Sequence, residues 1–232
     1  MSATSSALSS TSTDIFHGVF ILWGTVLFFD RLLRHTRFPE GFWGRFMLRA
    51  MNHGHAPLYR WGLSFLPWQS LWKVLDIGCG GGAVLTWILE LCPEEIAFGV
   101  DLSPESVAFS RRRNRREQGV RCFVEQGSAE RFPCATGMFD AAVAFETVYF
   151  WHDLQRTFTE VARVLRSGGY FLIVCEAGDP DDLRWIKWAR RVGSMTIYSA
   201  ATLTRQLFEA GFSHVTEHRH PKGCLCLVAR RS

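Results

Sequence analysis

Val74-Leu75-Asp76-Ile77-Gly78-Cys79-Gly80-Gly81-Gly82 is the stretch on which the reading of this chain turns. Val74 to Ile77 make the kind of apolar run that fills a buried parallel strand, and a glycine-rich turn follows at once. A helix placed after such a turn aims its free backbone N–H groups at whatever lies in it, and glycines let a ligand approach the backbone. Gly78, Gly80 and Ala83 also satisfy the loose dinucleotide pattern, so the turn alone selects no cofactor. Asp76 narrows the choice: a carboxylate at a strand end repels a diphosphate and attracts an ammonium group.

Working outward, short apolar runs alternate with helical segments from Trp72 onward, the pattern of parallel strands joined by crossover helices. Strands are expected near 73–77, 96–101, 121–125, 139–145 and 168–176, and helices near 82–92, 104–118, 154–166 and 200–210. Ser103 before Pro104 suits a helix cap, and Gly168-Gly169 suits a turn into the next strand. FSHVTEHRH and CLCLVARR are separated only by Pro221, Lys222 and Gly223, too few residues for a crossover, so they predict an antiparallel hairpin. At the second strand's end, Gly99-Val100-Asp101-Leu102-Ser103 offers Asp101 to a pair of ribose hydroxyls.

LDIGCGGG, GVDLSPESV, GSAERFPCATGMFD and VARVLRSGGYFLIV together resemble the successive motifs of class I S-adenosylmethionine-dependent methyltransferases. The resemblance covers nearly all of residues 72–229. It implies a Rossmann-like, doubly wound α/β fold with a seven-stranded sheet whose terminal hairpin supplies the one antiparallel strand. It further implies that Asp76, Gly78 and Gly80 hold the methionine part of S-adenosylmethionine, Asp101 the ribose and Leu102 one adenine face. Ser128 and Ala129 fall by the adenine edge, and Phe145 near the methionine part. Ser128 departs from the acidic residue common in the family at that position, which leaves the adenine contact to a hydroxyl.

Methyl transfer is an in-line displacement, so positioning supplies much of the catalysis, and a base is needed only where the nucleophile carries a proton. Glu146, Tyr149 and His152, in ETVYFWHD after the fourth strand, are candidate bases or orienters. The plainer alternative is that the aromatics pack under a loop while His152 and Asp153 cap a helix. His53 and His55, in MNHGHAPLYRWGL, precede the core where related enzymes carry a lid. That stretch, with ETVYFW and MTIYS, resembles a bacterial and archaeal branch of the family. Sequence offers the two histidines no acidic or cysteine partner, so a base or hydrogen-bonding role is expected and no metal. Glu146, Tyr149 and His55 form the expected catalytic set. Trp185, Trp188 and Tyr198 read either as an apolar pocket or as the buried face of an amphipathic helix.

The chain has 232 residues, 47% hydrophobic and 21% charged, enough apolar material for one core with additions. Its net charge of +4 is dispersed, and the run Arg111-Arg112-Arg113-Asn114-Arg115-Arg116 reads as a solvated helix face, so no nucleic-acid partner is expected. Seven cysteines without metal spacing suggest reduced thiols and a cytoplasmic protein. Residues 1–13 read as a disordered leader, 14–35 as an apolar helix, 36–70 as a lid or substrate region, and 71–232 as the S-adenosylmethionine-binding domain. The apolar run at 15–29 is short for a bilayer span, and packing and membrane attachment both stay open. The expected activity is methyl transfer to a small or lipophilic acceptor. An NAD(P)-dependent oxidoreductase and a non-catalytic binding protein are the alternatives.

Overall fold

The computed structural model describes residues 41–232, so the expected leader and the apolar run at 15–29 lie outside the described residues. Two helices come first, α1 (Gly41–Gly54) and α2 (Ala56–Leu63), with Pro57 in the first turn of α2. Then follow β1 (Val74–Ile77), α3 (Ala83–Leu91), β2 (Ala97–Asp101), α4 (Pro104–Arg113), β3 (Cys122–Gln126) and β4 (Phe139–Phe145). After a short 3₁₀ turn at Val148–Phe150 come α5 (Leu154–Val164), β5 (Leu165–Cys175), α6 (Leu183–Val192), α7 (Ala200–Glu209), β6 (Phe212–Arg219) and β7 (Leu225–Arg231).

The sheet has seven strands in the order β3-β2-β1-β4-β5-β7-β6. β1 to β5 pair in parallel, and β7 runs antiparallel between β5 and β6, so the expected doubly wound sheet and terminal hairpin are both present. The chain winds outward from β1 to β3, then returns to β4 on the other side of β1. That reversal opens a crevice at the carboxyl ends of β1 and β4, where open parallel sheets bind ligands.

Alternation along the strands supplies two cores. On one face Leu75, Ile77 and Phe139 pack with Phe158 and Val161 of α5 and with Leu203 and Leu207 of α7. On the other, Val74, Val143 and Val174 pack with Leu85 and Ile88 of α3 and with Leu58 and Leu63 of α2. Many of these side chains are wholly buried, and each contributes about 1.5–3 kcal/mol in the transfer sense. α2 approaches the sheet very closely. A Cβ at Gly62 would stand 2.5 Å from Val174 Cγ2 and 2.8 Å from Phe145 Cε1, so only glycine fits without a shift.

Ser103 caps α4 as expected, its hydroxyl accepting from Ser106 N–H at 3.2 Å. Three local expectations are corrected. α4 stops at Arg113 rather than near 118, because Asn114 caps it: the amide of Asn114 donates to Gly82 O and Ser110 O, both at 3.1 Å. The basic run is therefore only half helical, and Arg111 is not simply solvated: it donates to Val124 O at 2.8 Å and pairs with Glu125 at 3.3 Å. Gly168-Gly169 is not the turn into β5 but lies within it, where the register with β4 jumps from Phe139↔Leu165 to Ala141↔Tyr170. α6 is helical as one reading of its tryptophans required, but none of its residues is buried. Trp185 is half-buried and Trp188 is exposed, and neither lines the crevice. Among the described residues no helix is long and apolar enough to cross a membrane, and all seven cysteines are free.

Candidate active site

The crevice is one continuous pocket lined by the glycine-rich turn, the ends of β2 and β4, the Gly127–Glu130 turn, the 3₁₀ turn, and Leu48, Asn52 and Tyr59 from the first two helices. The turn keeps its shape through its neighbours. Gly78 and Cys79 both donate to Val100 O, at 2.8 and 3.1 Å, and Gly80 donates to Asp101 Oδ2 at 2.9 Å. Gly78 has φ +72°, and a Cβ there would run into the Thr147 side chain, so glycine is required twice over. α1 covers the turn from above, with Asn52 Nδ2 donating to Gly81 O at 3.2 Å.

Asp76 closes the inner wall of this end. Its side chain is buried, and Oδ2 has no hydrogen-bond partner. Burial, reinforced by the nearby Asp101 carboxylate, pushes its carboxyl up to about 8. A carboxylate oxygen facing a pocket without a donor is costly unless a ligand supplies one, and an ammonium group does so. Asp101 divides its oxygens between Gly80 N–H and Ser103 N–H, both at 2.9 Å, so it stiffens the turn and keeps further lone pairs for hydroxyls. Leu102 is 50% exposed yet lines the pocket, an apolar side chain offered as a platform for a ring. Gly78, Gly80, Ser128, Ala129 and Phe145 line the same pocket, and the Ser128 hydroxyl accepts from Glu130 N–H at 3.2 Å. The residues present thus fit S-adenosylmethionine: a buried acid for its ammonium, an acid at the second strand end for its hydroxyls, and an apolar shelf for its adenine.

At the opposite end, the chain leaves β4 through Glu146, which has φ +58° and is the only non-glycine residue with positive φ among those described. This backbone turns its carboxylate inward. Oε1 accepts from Glu176 N–H at 2.5 Å and from the Tyr149 hydroxyl at 3.1 Å. Burial, with the Glu176 charge adding to it, pushes Glu146 up to about 8. The Tyr149 hydroxyl also accepts from Ala177 N–H at 2.9 Å, and burial holds its ionisation well above the usual phenol range. The hydroxyl of Tyr149 is committed to holding Glu146 against the end of β5, which makes it an orienter rather than a base.

His55 sits between α1 and α2 with Nε2 3.8 Å from Glu176 Oε2 and Nδ1 3.5 Å from the Tyr59 hydroxyl. Burial lowers its pKa, against a smaller opposing pull from Glu176, so the ring is neutral near pH 7. The expectation that the histidines lack acidic partners is corrected: Glu146 and Glu176 both stand beside His55. His53 is exposed and outside this group. His152 lines the pocket but is exposed, and Asp153 caps α5 by accepting from Arg156 N–H at 2.9 Å, as the plainer reading had it. Tyr198 lies away from the pocket wall, its hydroxyl donating to Trp151 O at 3.4 Å.

Sequence reasoning missed Glu176, Tyr59, Asn52 and Thr147. Glu176 was within reach of it: parallel register sets Phe145 opposite Val174, so an acid just beyond β5 must lie beside one just beyond β4.

Residues 75–173 match the family model described as Methyltransferase domain. From β1 through most of β5 the chain is thus similar to class I S-adenosylmethionine-dependent methyltransferases. It is 37% identical over 100 residues to a fatty-acid O-methyltransferase of Mycolicibacterium smegmatis, a match covering 43% of this chain and 35% of that protein. It is 29% identical over 173 residues to the chloroplastic 2-methyl-6-phytyl-1,4-hydroquinone methyltransferase 1 of Oryza sativa subsp. japonica, covering 67% and 47%. These matches span only about a third to a half of the curated relatives. A SAM-dependent methyltransferase from Aquifex aeolicus superposes with TM-score 0.68 at 16% identity, over 81% of this chain and 98% of that one. A geranyl diphosphate methyltransferase in complex with SAM does so with TM-score 0.65 at 19% identity, over 84% and 92%. S-adenosylmethionine is the cofactor this similarity supports, against the dinucleotide alternative.

Proposed function

We propose that the chain transfers the methyl group of S-adenosylmethionine to a small acceptor with an apolar body. The donor's ammonium lies on Asp76, its ribose on Asp101 and its adenine between Leu102 and the Ser128-Ala129 turn. The single observation that carries this reading is the unpartnered Asp76 Oδ2 buried at the end of a β1 strand that leads into a glycine-rich turn. When bound, S-adenosylmethionine supplies the electrophilic methyl carbon.

The acceptor enters from the Glu146 end, between the 3₁₀ turn and α2. Phe150, Trp151 and Tyr59 supply apolar walls and Glu146 the basic atom on the pocket wall, while His55 stands behind that wall beside Glu176. Tyr149 and Glu176 N–H hold the Glu146 carboxylate in place. The names of the curated relatives, a fatty-acid and a prenylated hydroquinone methyltransferase, support a lipophilic acceptor with an oxygen-bearing head.

Calorimetric titration with S-adenosylhomocysteine tests the donor side. Binding that Asp76→Asn weakens sharply is expected, and no binding by the parent protein refutes the reading. A tritiated-methyl transfer screen across fatty acids, alkyl phenols and polar amines tests the acceptor side, with label expected in apolar products. Equal turnover of polar and apolar acceptors removes the basis for the lipophilic assignment.

A further inference from the structure

His55, Glu146 and Glu176 come from three separate parts of the chain: the α1–α2 junction, the end of β4 and the end of β5. Each brings one ligand-competent atom into a common space where these atoms all lie within 4.8 Å of one another. What converges there is electron-rich on every side. Glu146 Oε1 is occupied by two donors, Glu176 N–H and the Tyr149 hydroxyl, which leaves Oε2 as the free lone-pair bearer. His55 Nδ1 faces the Tyr59 hydroxyl, and the tautomer protonated at Nδ1 presents the bare Nε2 lone pair to the carboxylates.

Three such atoms repel one another unless a proton or a metal cation sits among them. One of the three spacings suits a metal directly, and the others lie within 4.8 Å. Ligands about 2.1 Å from a metal stand roughly 3–4 Å apart, and the 3.8 Å between His55 Nε2 and Glu176 Oε2 falls in that range. The outer ring of atoms is arranged as it is around metal ligands, with the second histidine nitrogen on a phenol and the carboxylate's other oxygen pinned by a backbone N–H. The strained φ of Glu146 is what turns that carboxylate toward the other two.

We propose that His55, Glu146 and Glu176 bind one divalent cation of the zinc or manganese type, with open coordination positions facing the pocket for an oxygen of the acceptor. One imidazole and two carboxylates suit those ions better than magnesium, which takes oxygen ligands and retains its waters. The cation would offset the two acids and hold the acceptor's oxygen beside the donor's methyl group. The open positions rest on the methyltransferase reading; the cation site itself rests on the three side chains.

The test uses the full chain, stripped with chelator and titrated with zinc chloride, manganese chloride and magnesium chloride, with the loss of the free manganese resonance as a second readout. One zinc or manganese ion per chain is expected, with affinity reduced by Glu176→Gln and by His55→Ala by more than the roughly 10–100-fold that loss of a ligand's supporting partner costs. S-adenosylhomocysteine titration of the same variants checks that each is folded, since both side chains lie outside the donor's end. A parent protein that binds S-adenosylhomocysteine but neither ion overturns the proposal. So does ion binding that neither substitution changes, because the ion is then held elsewhere. Ion binding that the substitutions abolish, in a protein that binds no S-adenosylhomocysteine, keeps the cation site and refutes the methyltransferase reading instead.

Discussion

The two ends of the pocket are built differently. The donor end comes from one contiguous motif and its neighbour: β1, the glycine turn, and the end of β2, locked by backbone hydrogen bonds. The acceptor end is assembled from side chains of α2, the β4 exit and the β5 exit, held by contacts between side chains and by one strained backbone residue. Backbone geometry tolerates change in surrounding sequence, whereas a side-chain cluster changes with every residue in it. On the proposed function, the donor end is thus set by one local motif and the acceptor end by side chains that three separate segments bring together.

The sharpest way to break this comparison is Glu146→Gln. Methyl transfer should fall roughly 10²–10⁴-fold in a single-turnover assay, while S-adenosylhomocysteine affinity stays within a few-fold. Comparable losses in both would mean that the ends are not separate. Asp76→Asn should do the opposite, weakening S-adenosylhomocysteine by about 2–3 kcal/mol through loss of the charged contact. The same substitution should raise the melting temperature of the ligand-free protein, because it removes a buried carboxyl that resists ionisation; a lower melting temperature would contradict the account of Asp76.

The pH behaviour of Asp76 sharpens the donor side. Its folded pKa, about 8, lies above the ordinary carboxyl value, so the folded state prefers the proton. The associated stability is complete below the unfolded pKa and is lost as pH rises through about 8, and the ligand-free melting temperature should decline over that window. An ammonium ligand reverses the preference. Binding near pH 7 should therefore release close to one proton, read from calorimetry in buffers of different ionisation enthalpy, and affinity should rise toward pH 8.

Smaller effects are expected from the supports. Tyr149→Phe leaves Ala177 N–H without its acceptor and should cost about 1–3 kcal/mol of stability in denaturant titration, with turnover reduced less than by Glu146→Gln. Gly62→Ala forces a methyl group against Val174 and Phe145, and should cost about 1–3 kcal/mol.

The donor end was legible in the sequence because it is local. Parallel strands buried on both faces are written as unbroken apolar runs, and Asp76 and Asp101 sit at fixed offsets from their turns. The hairpin was legible from the length of its connection. The limits of α4 and the irregular start of β5 were not, since they depend on Asn114 reaching back to Gly82 and on a register jump against β4. Glu176 escaped notice because CEAGDP carries no motif of its own. Its meaning comes from Glu146 and His55, which tertiary structure alone brings to it.

Gly62 carries a consequence for traffic through the site. It fastens α2 to the sheet beside Phe145, so His55 at the head of α2 is tethered to the acceptor end. α1 rests on the glycine turn through Asn52, and His55 is the single residue between the two helices. The roof therefore touches both ends of the pocket, Asn52 over the donor's glycine turn and His55 beside Glu176, so a ligand passing either end meets the same pair of helices.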